Sequence, residues 1–203
     1  MPREELTVSR GTALLVMECQ KGVLDASGKF AALAKRAEEK GIVPAIARLA
    51  AACRETARPV VHCLAIARPD GGGRSRNAPL FRLAVGGLVA GSDRADPLDP
   101  LKPEPGDYPL GRLHGVSPFH ATELDPILRN LGIDTVIATG VSVNVGVTGM
   151  VIEAVNHGYE VILPVDAVAG VPAEYEEMQI RFSLRNLARL STSEEVCRAL
   201  REG

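Results

Sequence analysis

Glu18 is the residue of this chain best placed to move a proton. It follows five apolar residues, Ala13 to Met17. A carboxylate at the end of such a run is costly unless it is hydrogen-bonded or paired. Desolvation would raise its pKa and suit it to proton transfer near neutral pH; capping a nearby loop or helix is the other role open to it. A second group lies in Arg112-Leu113-His114-Gly115-Val116-Ser117-Pro118-Phe119-His120. His114 has the chemistry of a proton shuttle and Arg112 that of a carboxylate ligand. A tight Gly–Pro turn with a backbone-satisfied histidine fits the same residues. The third group is Thr139-Gly140-Val141-Ser142-Val143-Asn144-Val145-Gly146. A turn there, from a buried strand into a helix, points backbone N–H groups at whatever sits above the strand end. Cys19 and Cys63 are possible nucleophiles only if a base and an electropositive setting accompany them. The spacing of the four cysteines fits neither a zinc site nor a redox pair, so all four are expected to be reduced, mostly buried thiols.

These groups need a frame that brings them together. Apolar runs predict strands over Thr12–Met17, Val60–Ala65, Tyr108–Leu113, Val136–Ala138, Tyr159–Pro164 and Ala188–Leu190. Helical spacing covers Leu33–Ala57, with breaks expected at Gly41 and Pro44, and Thr122–Leu131, ended by Gly132. It also covers Val147–His157, Pro172–Leu187 with proline in the first turn, and Ser193–Arg201. Strand–helix alternation implies an α/β fold: a parallel sheet covered on both faces, a Rossmann-like three-layer sandwich. Ligands of such sheets bind beyond the carboxyl ends of the strands, where strand order reverses. That rule selects Glu18-Cys19-Gln20 and Gly140 to Gly146. Arg68 to Gly106 is irregular, with a helical island around Leu80–Val85. A stretch this long is functional or an interface rather than a linker, so residues 1–203 are read as a single domain. Arg68, Arg74 and Arg76 within it are expected to form a solvated face or a contact with a partner subunit.

Composition narrows the function classes. The 203 residues carry a net charge of −2, which gives no electrostatic case for nucleic acid or an anionic membrane. No apolar run approaches the roughly 18 residues of a spanning helix, and no signal pattern opens the chain; a cytoplasmic protein is expected. Aromatics are only 3% and tryptophan is absent, so the core must be aliphatic. His62, His114 and His120 are not at a close metal-ligand spacing, and Gly71-Gly72-Gly73 lacks the strand and Lys-Ser/Thr of a phosphate loop. No metal and no cofactor are expected, and the partner is a small molecule.

Taken together, these segments resemble the isochorismatase-like hydrolase superfamily, which includes cysteine amidohydrolases such as nicotinamidases. Leu14-Leu15-Val16-Met17-Glu18-Cys19-Gln20 is similar to the family's first-strand motif, with Glu18 where the family has Asp. Gly140 to Gly146 is similar to its nucleophile motif, with Gly146 at the position of the Cys. Ser117-Pro118-Phe119 resembles the Ser-Ala-Phe that follows the catalytic Lys, whose place falls at or near Leu113, between Arg112 and His114. The resemblance runs from about Thr12 to Leu190. It implies a six-stranded parallel sheet in the order 3-2-1-4-5-6, a non-proline cis peptide at Val141–Ser142, and a homo-oligomer, dimer or tetramer. It also implies that each member of the Asp-Lys-Cys triad is replaced, and that the nicotinamidase metal motif is missing. Without a thiol at residue 146 no thioester can form there. The family's true isochorismatases also carry Gly at that position and protonate an enol ether without a covalent intermediate.

Two readings follow. In the first, Glu18 is the general acid or base of a non-covalent hydrolase acting on a small carbonyl- or carboxylate-bearing metabolite. His114 or Arg112 would stand in for the Lys; Gln20, Ser142, Asn144, Val145, Gly146 and Phe119 would line the substrate site. In the second, the chain kept the fold and lost the chemistry, leaving a silent binding or scaffolding protein.

Overall fold

A computed structural model describes residues 6–83 and 87–203. At its centre β1 (Thr12–Met17) is buried along its whole length, as a parallel strand covered on both faces must be. It pairs with β2 (Val60–Ala65) on one side and β4 (Thr135–Val141) on the other. β3 (Tyr108–Arg112) lies outside β2, and β5 (Glu160–Pro164) lies outside β4. A two-residue strand that the sequence does not announce, β6 (Val168–Ala169), pairs with the end of β4. β7 (Arg189–Ser191) closes the far edge against β5. The expected order therefore holds, with β7 in the sixth place and β6 added beside β4.

The residues of β1 alternate between two cores, as the strand period requires. Leu14 and Val16 pack beneath α1 (Ala31–Lys40), α2 (Ile42–Glu55) and α7 (Ser193–Glu202), among Leu33, Ile46, Leu49 and Leu200. Leu15 and Met17 face the other layer, built from α4 (Leu124–Asn130) and α5 (Gly146–Asn156), with Leu128, Met150 and Val151. The break expected in the long helical pattern falls at Gly41, which takes a left-handed φ of 65°. Pro44 sits inside the first turn of α2, where its missing N–H is harmless. α7 starts on a reciprocal cap: Thr192 Oγ1 accepts from the Glu195 N–H, and the Glu195 carboxylate accepts from the Thr192 N–H.

One helix differs from expectation. Instead of running from Pro172 to Leu187, α6 covers Ala173–Met178, followed by a π turn at Gln179–Ser183 and a 3₁₀ turn at Leu184–Asn186. The wider turn changes which side chains meet the sheet: Leu184 becomes fully buried, with Ile180 and Leu187 beside it. Pro172 is the residue before the helix, at a cis bond, rather than part of its first turn.

The irregular segment after β2 folds back over the carboxyl ends of the strands. Ala67 bridges Val89, and Pro97 bridges Gln20. Its short helix is α3 (Pro79–Leu83); the rest of the island expected to Val85 lies outside the described residues. Among the described residues no helix is long and apolar enough to cross a membrane.

Candidate active site

β1 stops at Met17 because Glu18 takes a left-handed φ of 49°, a conformation sparsely open to residues with a Cβ. The Glu18 N–H still donates to the Cys63 carbonyl at 3.0 Å, so the strained residue is held by the sheet itself. Its carboxylate forms an ion pair with Arg112, the last residue of β3. The Arg112 side chain is 6% exposed and that of Glu18 20%. This pairing is the compensation that a half-buried strand-end carboxylate requires. The guanidinium is far from saturated. Nη2 also reaches the Val116 carbonyl at 3.4 Å, but Nε and Nη1 are buried without an acceptor.

The turn after β4 comes beside this pair. Gly140 has φ 100°, and a Cβ there would lie 2.1 Å from the Met17 carbonyl oxygen; only glycine lets β4 pass so near the end of β1. The Val141–Ser142 peptide is cis. The Ser142 carbonyl accepts from the Val145 N–H at 3.2 Å and the Val147 N–H at 2.9 Å. That leaves the Gly146 N–H, first in the eleven-residue helix α5, with no acceptor among the described residues. Of the Val145 and Gly146 amides at this helix end, the first is therefore already taken. The Asn144 side chain is engaged as well. It accepts from the Val171 N–H at 2.9 Å and donates to the Val171 carbonyl, which pins the turn to the segment before α6. A Cβ at Gly146 would lie 2.9 Å from Met17 Cε and 3.1 Å from the Val141 carbonyl oxygen.

Glu18, Arg112, His114, Ser142, Asn144, Val145 and Gly146 all line one cavity of about 390 Å³. Phe30, Leu33, Leu80, Phe81 and Leu88 give it an apolar wall, and Lys29 and Arg74 join its polar side. Arg74 Nε is buried without an acceptor. It was expected on a solvated face or at a partner; instead the neighbouring Ser75 hydroxyl accepts from the Gly115 N–H at 3.0 Å and draws the loop inward. Nothing in a Gly-rich stretch carrying several arginines signals which of them turns in.

Two expected site residues lie elsewhere. Gln20 is fully buried, and its amide is spent on backbone. Nε2 donates to the carbonyls of Ala65 and Ala95, and Oε1 accepts from the Ala65 N–H, at 2.7–2.9 Å. It fastens the long loop to β2. Phe119 is buried in the core, with its ring 5.4 Å from that of His157 and 5.7 Å from that of Tyr159. No cysteine lines the cavity. Burial pushes the Cys19 and Cys63 thiols up to about 12, so neither supplies a thiolate at neutral pH. Among the described residues no three His, Cys, Asp or Glu side chains gather as a group that could hold a metal ion.

Comparison with known proteins identifies the family. The profile of the isochorismatase domain matches residues 12–195. The chain belongs to the isochorismatase family. Within that family it is 27% identical over 186 residues to the uncharacterized protein YwoC of Bacillus subtilis, covering 91% of each chain. It is 31% identical over 130 residues to a maleamate amidohydrolase of Pseudomonas putida, covering 61% of this chain and 59% of that one. Among solved structures, a cysteine hydrolase from Pseudomonas syringae superposes with a TM-score of 0.83 at 24% identity, covering 100% of this chain and 99% of the other, which is a likeness of fold.

Proposed function

We propose that this isochorismatase-family protein hydrolyses a small carboxylate-bearing metabolite by acid/base chemistry without a covalent intermediate. One observation supports the reading above the rest. A single cavity is lined by an ion-paired carboxylate, its arginine partner and the residue whose helix-end N–H is free, and by no cysteine. Glu18 accepts a proton from water as the water oxygen bonds to the substrate's carbonyl carbon. The carbonyl oxygen gains negative charge, which the Gly146 N–H and the nearby Arg112 charge stabilise. The bond to the leaving nitrogen or oxygen then breaks, and Glu18 or His114 delivers the proton to that atom. Arg112 is no proton acceptor, because a guanidinium offers donors only. It positions Glu18 and supplies charge. Arg74 Nε fits the substrate's own carboxylate, in keeping with the maleamate acted on by the Pseudomonas putida relative. Solubility in the cytoplasm and assembly into a homo-oligomer belong to the same proposal.

The test is turnover of a panel of amides, enol ethers and ureido acids by the wild type and by Glu18→Gln. Loss of about 10²–10⁴-fold with the fold intact is expected for a removed acid/base group; turnover retained in Glu18→Gln rules the assignment out. A silent binding protein remains the second reading, favoured by the Met17 methyl that crowds residue 146 and by the engagement of the Glu18 carboxylate with Arg112. It expects no turnover on any member of the panel and a rise in Tm with a bound carboxylate.

A further inference from the structure

The groups assigned to the chemistry of the Glu18 cavity all come from strand ends: Glu18 after β1, Arg112 and His114 at the end of β3, and Gly146 after β4. Its apolar wall has another origin. Val23, Phe30 and Leu33 come from the segment entering α1, and Leu80, Phe81 and Leu88 from the long segment after β2. These two segments are fastened together. The Lys21 N–H donates to the Asp96 carbonyl at 2.9 Å and the Gly22 N–H to the Arg94 carbonyl at 2.8 Å. A Cβ at Gly22 would lie 2.7 Å from Leu88 Cδ2. Phe30 and Leu88 also pack against the core that contains Val23 and Leu33. Yet Phe30, Leu80, Phe81 and Leu88 remain only half-buried. The chain has four phenylalanines and no tryptophan, and two of the four stand at this one cavity. Aromatic surface is thus concentrated where a ligand would cover it. Charge is one-sided as well: among the described residues lining the cavity Glu18 is the only acid, against Lys29, Arg74 and Arg112.

We propose that the ligand of this cavity is an amphipathic acid, with an aryl or alkyl tail lying on Phe30, Leu33, Phe81 and Leu88 and its carboxylate toward the cations. That this ligand is the substrate rests on the hydrolytic reading given above. A short acid with no apolar group would leave the wall open to water, and the removal of such surface from water is what binding gains. Room for the tail is present. A cavity of about 150 Å³ holds a benzene ring, and this one measures about 390 Å³. Because the wall is tied to the sheet and to itself, little ordering opposes binding. The tail then contributes affinity that the reacting groups do not, so chain length selects among acids that share one scissile bond.

The test is calorimetric titration of the protein with sodium carboxylates from acetate to heptanoate, and with 3-phenylpropionate. Kd is expected to fall about fourfold for each added methylene, the worth of one buried CH₂, and to level off once the cavity is full. In Phe81→Ser the series should flatten. Phe81→Trp, which takes space from the tail, should level it at a shorter chain without removing apolar surface. Phe182→Ser is the control, because Phe182 is 60% exposed and outside the cavity; its series should match the wild type. A Kd that does not change with chain length overturns the proposal. So does a series flattened by Phe182→Ser and untouched by Phe81→Ser, which places the tail on the outer surface. Turnover is read separately. A steep series with no hydrolysis of any panel member keeps the amphipathic ligand and removes the hydrolase; hydrolysis abolished in Glu18→Gln beside a flat series keeps the hydrolase and overturns the tail.

Discussion

Two carboxylates in this protein, one buried and one partly open to solvent, meet arginine in opposite ways. Glu176 is 1% exposed and is surrounded by donors. It accepts from Arg36 at 3.0 Å, from Lys40 at 2.7 Å and from the Gly170 N–H at 2.7 Å. Lys40 has its other protons on the carbonyls of Val165 and Val168. Glu18 instead has one guanidinium, and that guanidinium keeps two donors idle. A saturated network rigidifies; an under-filled one is completed by something from outside. The first fixes Gly170 and Val171, and through Val171 the Asn144 side chain and the turn above β4. The second faces the space which that turn encloses.

Breaking the saturated cluster should have the largest effect on stability. Glu176→Leu strands two cations and an N–H, and urea unfolding should show a loss of about 3–5 kcal/mol. Burial draws the Glu176 carboxyl upward, but hydrogen bonds from Arg36 and Lys40 outweigh it and hold the pKa below the usual carboxylate value. A lowered native pKa contributes stability above the unfolded value, roughly pH 4.3 for a free Glu, and that contribution is lost as pH falls through the native value. The wild type should therefore lose stability more steeply in acid than Glu176→Gln; parallel acid limbs would refute this.

Removing both partners sharpens the contrast. Glu18→Leu with Arg112→Met deletes an incompletely bonded pair, and its unfolding free energy should be unchanged or raised by about 1–4 kcal/mol. Glu176→Leu with Lys40→Met should still be destabilised, because Arg36, the Gly170 N–H and two carbonyls lose partners. If both doubles shift alike, the distinction between scaffold and site fails. The smallest effect on folding belongs to Arg74→Gln. Stability should stay within about 0.5 kcal/mol, while KM for a carboxylate substrate rises about tenfold, the equivalent of about 1.4 kcal/mol. An unchanged KM would remove Arg74 from the substrate site.

The sheet was readable because its strands are continuous aliphatic runs with a helix between most of them. The break at Gly41 and the cap at Gly132 were readable from local backbone chemistry. The nearness of Glu18 to the residue 140–146 turn was readable because adjacent parallel strands end on the same side of the sheet. What stayed hidden depends on atoms distant in sequence. Gln20 looked like a site residue by position, yet the Ala65 and Ala95 backbone consumes it. Phe119 sits in a motif but faces His157 and Tyr159. Arg74 was indistinguishable from Arg68 and Arg76 until the loop folded inward. The π turn after Met178 preserves an apolar pattern that periodicity reads as one helix.

The methyl of Met17 gives residue 146 a history. A larger residue there would have to move that flexible tip first and then contend with the Val141 carbonyl, which belongs to the backbone and does not yield. A side chain at that helix end therefore sets the rotamer of residue 17 on the neighbouring strand, and the two positions are coupled through the space they share.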